Sequence, residues 1–91
     1  MIAQTTKNGN TVRLSADFWI DVGKVYYEVY SNGTRFTFED FAPAANVYKR
    51  LSFALENNPT GYAQVLIKLT ESARMMGYTV SESGFCAKEV R

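Results

Sequence analysis

Carboxylates are the main candidates for acid–base chemistry in this sequence, which contains no histidine and a single cysteine, Cys86. Without imidazole the usual general base, the commonest metal ligand and most nucleophilic triads are lost together. One thiol cannot build a zinc site. Two carboxylate pairs come close to one another: Glu39 with Asp40 in the sequence, and Asp17 with Glu28 across the strand pairing derived below. In a dry site two such charges would raise one pKa. A plainer role fits each pair, with Asp40 capping a helix, Glu39 favouring the same helix end, and Asp17 and Glu28 on a wet strand face near Arg13. Cys86, whose closest cation is Lys88, reads as a passive thiol. The six glycines fall singly at turns and helix ends, so no loop of the phosphate-cradling type is present. The expectation is a protein that is not an enzyme, with no cofactor and no metal.

Recognition chemistry is better represented, since the chain carries one Trp, six Tyr and six Phe in 91 residues. Whether these rings are core or surface depends on the elements that hold them. Asn8-Gly9 and Asn32-Gly33 each lie between strand-like runs and suit two-residue type I′ turns. The second pair also matches a glycosylation acceptor, Asn32-Gly33-Thr34, but the turn accounts for it. Residues 11 to 20 alternate, with Val12, Leu14, Ala16, Phe18 and Ile20 on one face and Arg13, Ser15, Asp17 and Trp19 on the other. Val25, Tyr27 and Val29 then oppose Lys24, Tyr26, Glu28 and Tyr30, and Phe36 and Phe38 oppose Arg35 and Thr37.

Turns must bring like faces together, because a slip of one residue exchanges core and solvent sides. A turn at Asn32-Gly33 pairs Val29 with Phe36 and Tyr27 with Phe38. One at Asn8-Gly9 sets Ala3 opposite Leu14 and Thr5 opposite Val12. One at Val22-Gly23 pairs Ile20 with Val25, Phe18 with Tyr27, Trp19 with Tyr26 and Asp17 with Glu28. These pairings predict a three- or four-stranded antiparallel meander.

From Asp40 the apolar period lengthens to that of a helix, with Phe41, Ala44, Tyr48, Leu51 and Leu55 on one stripe and Val47 and Ala54 beside it. Asn57-Asn58-Pro59 ends this helix and starts a second, whose stripe is Tyr62, Val65, Leu66, Leu69, Ala73 and Met76 and whose stop is Gly77. Tyr78–Ser81 reads as a short strand, and Phe85–Val90 as another strand or a loose tail. The fold class expected is α+β, a single domain over residues 1–91 with two helices on one face of an antiparallel sheet.

On that plan the outward sheet face is left over, and Trp19, Tyr26, Tyr30 and Arg35 form an aromatic and arginine patch of the kind that dominates protein interfaces. Their structural alternative is simple cross-strand stabilisation. A secondary patch is Phe53, about 180° from the apolar stripe of its helix, with Lys49 and Arg50 beside it; Ile67 and Met75 are off-stripe on the second helix. Replacing Trp19 and Tyr30 by Ala is expected to abolish binding and leave the fold intact.

Ten basic and nine acidic residues leave a net charge of +1, which lacks the broad positive field of a polyanion binder. Nucleic acid is therefore the less favoured partner, though the same rings could stack unpaired bases. The start, Met1 to Lys7, has no basic region leading into an apolar run, and no stretch approaches the length of a membrane span. With one cysteine and no internal disulfide, the expected location is the cytoplasm.

The run from Tyr26 through Phe38, continuing into Phe41 and Val47-Tyr48-Lys49-Arg50-Leu51, resembles the strand, hairpin and helix junction of short phage and mobile-element accessory proteins. Some anti-CRISPR proteins are similar in plan over roughly residues 11 to 76. The resemblance implies an inhibitor that occludes a partner protein's surface. The hairpin-then-helix order is also similar to the arm-binding domains of phage integrases, which are strongly basic where this chain is balanced. Together these readings predict a noncatalytic protein-binding module, with a homodimer through the outer sheet face as one form of it.

Overall fold

Positive φ at two successive residues is what a type I′ turn demands. Asn8-Gly9 (52° and 79°) and Asn32-Gly33 (49° and 86°) both supply it in the computed structural model, which describes residues 2–81. The first turn joins β1 (Ala3–Lys7) to β2 (Asn10–Trp19), and the second joins β3 (Lys24–Ser31) to β4 (Thr34–Phe38). Both registers follow the side-chain alternation: Ala3 faces Leu14, Thr5 faces Val12, Tyr27 faces Phe38 and Val29 faces Phe36.

The middle hairpin departs from expectation. β2 stops at Trp19, and a four-residue loop follows in which the N–H groups of Val22 and Gly23 both donate to the Trp19 carbonyl, at 3.2 and 2.8 Å. A two-residue turn at Val22-Gly23 would put a β-branched residue at positive φ, which its side chain resists. Gly23 alone takes that conformation in this loop, at φ 65°. The pairing therefore moves by two residues: Phe18 faces Val25, Ala16 faces Tyr27, Asp17 faces Tyr26 and Trp19 faces Lys24. An even shift keeps every side chain on its expected face while changing its neighbour. Trp19 does not face Tyr26, and Asp17 does not face Glu28.

Helix α1 (Phe41–Asn57) lays Ala44, Leu51 and Leu55 on the sheet face formed by Val12, Leu14, Val29, Phe36 and Phe38. Asp40 is its N-cap in extended backbone geometry, but the carboxylate makes no capping hydrogen bond. Two polar contacts fix the helix against β1: the Thr5 and Tyr48 hydroxyls lie 2.9 Å apart, and the Lys7 ammonium donates to the Glu56 carbonyl at 2.8 Å. The second places a cation at the negative end of the helix. Asn58 then accepts from the Gly61 N–H at 3.2 Å, closing a 3₁₀ turn over Pro59–Gly61 that leads into α2 (Tyr62–Met75). At the far end Gly77, at φ 88°, lets the N–H of Tyr78 reach the Ala73 carbonyl and its own N–H reach that of Arg74. This is a Schellman stop.

The chain returns as β5 (Thr79–Ser81), antiparallel to β4. The result is α+β, with a five-stranded antiparallel meander in the order β1-β2-β3-β4-β5 and two helices packed against it. The strand or tail read in Phe85–Val90, and Cys86 within it, lie outside the described residues.

One buried polar link ties α2 to the sheet. The Ser31 hydroxyl donates to the Thr11 carbonyl at 2.7 Å, so its oxygen accepts from the Tyr62 hydroxyl, which is itself buried. Burial pushes the Tyr62 phenol above its ordinary pKa of 10.0, because the charged form is poorly solvated there. The folded state thus holds the proton more tightly than the unfolded chain. Its contribution is complete below the unfolded pKa and is lost as pH rises through the elevated folded value. Tyr62→Phe should cost about 1 kcal/mol at neutral pH and should flatten the loss of stability above pH 10, both readable by urea denaturation across that range. A variant that falls as steeply in alkali as the parent would refute the assignment.

Candidate functional site

The outer sheet face is largely closed. Trp19 is 0% exposed and Tyr26 is also buried, and the shifted pairing sets the two rings diagonally, stacked with centroids 4.0 Å apart. Diagonal neighbours lie within reach of aromatic side chains. The expectation of a protruding indole and phenol is therefore corrected: both are structural. Tyr30 is half-buried between two guanidinium groups, Arg13 at 5.5 Å and Arg35 at 5.3 Å from its ring centre. Arg35 is further engaged by the buried carboxylate of Glu28 at 3.4 Å. Of the four residues expected to form the patch, none is fully open.

The carboxylate pairs are separated in the same way. Glu28 belongs to Arg35, whereas Asp17 is exposed opposite Tyr26. Glu39 accepts from the Lys24 ammonium at 3.0 Å, and this hydrogen bond and the carboxylate's charge raise the Lys24 pKa. Both partners are open to solvent, so screening leaves the pair little weight in stability. No group of three or more potential metal ligands converges among the described residues. A cavity of about 200 Å³ opens beside the Trp19–Tyr26 stack, with Thr37, Glu39, Asp40 and Tyr78 in its lining, and a groove of about 140 Å³ between the helices includes Val47, Arg50, Leu69 and Met76. Small-molecule sites usually run from roughly 300 to 1,000 Å³. Neither cavity reaches that range.

The accessible apolar surface lies on the other side of the sheet, at the tip of the β2–β3 hairpin. β1 pairs with β2 from Lys7 back to Ala3 opposite Leu14, and β4 pairs with β3 only as far as Phe38 opposite Tyr27. Beyond those points β2 and β3 continue as a ribbon, and its helix-side residues outrun the helices. Phe18 is 55% exposed, Val25 43%, and in the loop Ile20 and Val22 are 85% and 39% exposed. Phe18 and Val25 face each other across the ribbon, Ala16 and Tyr27 are the next pair on that face, and Tyr27 meets Phe41 edge-on at 5.5 Å. Phe41, at the start of α1, is 47% exposed and completes the cluster.

Sequence reasoning assigned Phe18, Ile20, Val25 and Phe41 to the core. Their faces were correct but their burial was not. The signal that finds them is strand length: β2 and β3, ten and eight residues long, outlast the five-residue strands on either side of them, and the Asn-Gly registers show where each of those neighbours ends.

On α1, Phe53 is 70% exposed, with Lys49 and Arg50 also exposed one turn before it. The structure therefore keeps this secondary patch accessible. Ile67 and Met75 are exposed on α2 as the periodicity predicts, whereas Met76, expected on the apolar stripe, is 69% exposed just beyond the end of the helix. No helix among the described residues is long and apolar enough to cross a membrane. No family model, curated protein or solved structure matches the chain.

Truncation separates the closed residues from the open ones. Trp19→Ala should lower stability by roughly 3 to 5 kcal/mol, the usual cost of emptying a buried aromatic site. Arg35→Ala should cost roughly 1.5 to 3 kcal/mol by removing a charge-assisted contact to the buried Glu28 carboxylate. Phe53→Ala should stay within about 0.5 kcal/mol of the parent, as exposed changes do. Urea midpoints rank the three, and an unaffected Trp19→Ala would show that the ring is not part of the packed fold.

Proposed function

We propose that this chain is a noncatalytic protein-binding module acting from a cytoplasmic, reducing setting, and that it works by covering a surface of its partner. The observation that carries this reading is the exposure of Phe18, Ile20, Val22 and Val25 at the tip of the β2–β3 hairpin, with Phe41 also exposed at the start of α1 against Tyr27 of the same ribbon. A patch of this size is as large as the largest apolar patch on a typical monomer, a surface that is often functional. Phe53 with Lys49 and Arg50 offers a second contact, suited to an apolar pocket with a carboxylate at its rim. The phage or mobile-element inhibitor reading agrees with such a mode of action, in which occlusion replaces chemistry.

Nucleic-acid binding draws less support. Lys24 and Arg35, the cations it would use, are engaged by Glu39 and Glu28, and the rings that would stack bases are buried or held between guanidinium groups. Placing a photoreactive side chain at Ile20, at Phe53 or at the exposed control position Gln64 in cells that express the protein tests the proposal directly. Covalent adducts are expected at the first two positions and not at the third. Equal, background-level yields at all three would sink it.

A further inference from the structure

We infer that the hairpin tip is a self-association surface, where a second copy of this chain packs its own Phe18, Ile20, Val22, Val25 and Phe41 about a two-fold axis. This deepens the reading of the tip as a binding surface and rests on it. Area is the first argument. At the exposures given above, and taking large side chains at roughly 150 to 250 Å² when open, the five residues present on the order of 500 Å² of apolar surface per copy. Two copies that buried all of it would reach about 1,000 Å², the floor for a specific interface, and contacts from flanking residues would complete the area.

Charge is the second argument. In a two-fold contact the same patch meets itself, so any charged group near the axis faces its own sign. On the helix-side face of the ribbon the strand positions are Ala16, Phe18, Val25 and Tyr27, none of them charged, and the acidic groups that border the patch are Asp21, in the loop between Ile20 and Val22, and Asp40, next to Phe41. Lys24 at its margin is already neutralised by Glu39. The chain's net charge of +1 adds almost no repulsion between copies. The α1 patch differs in this respect, because a two-fold contact at Phe53 would bring Lys49 and Arg50 against their own copies. That patch has one exposed ring beside two like charges, whereas the tip has five exposed apolar residues with its acidic groups at the border, the better balance for a self-contact.

The test is solution mass across a concentration series, by sedimentation equilibrium on the full chain, for the parent and for Ile20→Asp, Phe18→Ser and Phe53→Asp. The three sites are exposed, so circular dichroism should report an unchanged fold for each variant. The parent is expected at twice its 10.3 kDa, Phe53→Asp should associate equally well, and the two tip variants should weaken association at least about tenfold, equivalent to about 1.4 kcal/mol. A parent that stays monomeric, or a dimer that survives both tip substitutions, overturns the inference. So does a dimer dissolved by Phe53→Asp alone. A monomeric parent that still gives Ile20 photo-adducts with another protein would refute self-association while leaving the tip a binding surface. Absence of both dimer and adducts would remove the two readings together.

Discussion

Unequal strand lengths constrain everything else in this molecule. β2 has ten residues and β3 eight, whereas β1 and β4 have five each and β5 three. A two-stranded ribbon is marginal alone, and a sheet needs either a third strand or a packed helix to hold it. The base of the long hairpin has both, since β1 and β4 flank it and α1 covers Val12, Leu14 and Val29. The tip has neither on its helix side. The same apolar alternation that builds the core therefore continues past the point where there is anything to bury it.

The opposite face is handled differently. There the side chains engage one another: Trp19 stacks on Tyr26, Glu28 pairs with Arg35, and Tyr30 sits between Arg35 and Arg13. Interlocked contacts of this kind rigidify a strand pair and use up the groups that would otherwise recognise a partner. A face rich in aromatic and arginine residues is thus compatible with a purely structural role, because the composition of hot spots is also that of a well-satisfied cross-strand network. Burial separates the two cases, and burial depends on pairing.

Much of this was legible beforehand. The two Asn-Gly turns set registers that the structure reproduces residue for residue, since only one backbone geometry joins strands through two residues at positive φ. Helix limits were legible for a similar reason: Asn58, Pro59 and Gly77 each have a local conformational preference that acts within one turn of chain. The error came at Val22-Gly23, where one glycine beside a β-branched residue permits more than one loop. A displacement of two residues then left every face intact and every cross-strand partner changed.

By itself the sequence determined the fold class, the strand and helix order, which side of each strand faces the helices, and the exposure of Phe53. These follow from periodicity and from backbone preferences that are local in the chain. Only the tertiary structure decided which of the inward residues are covered, and which of the outward rings are buried. Coverage depends on where two helices and three short strands end relative to one long hairpin, a relation among distant segments that no local preference encodes.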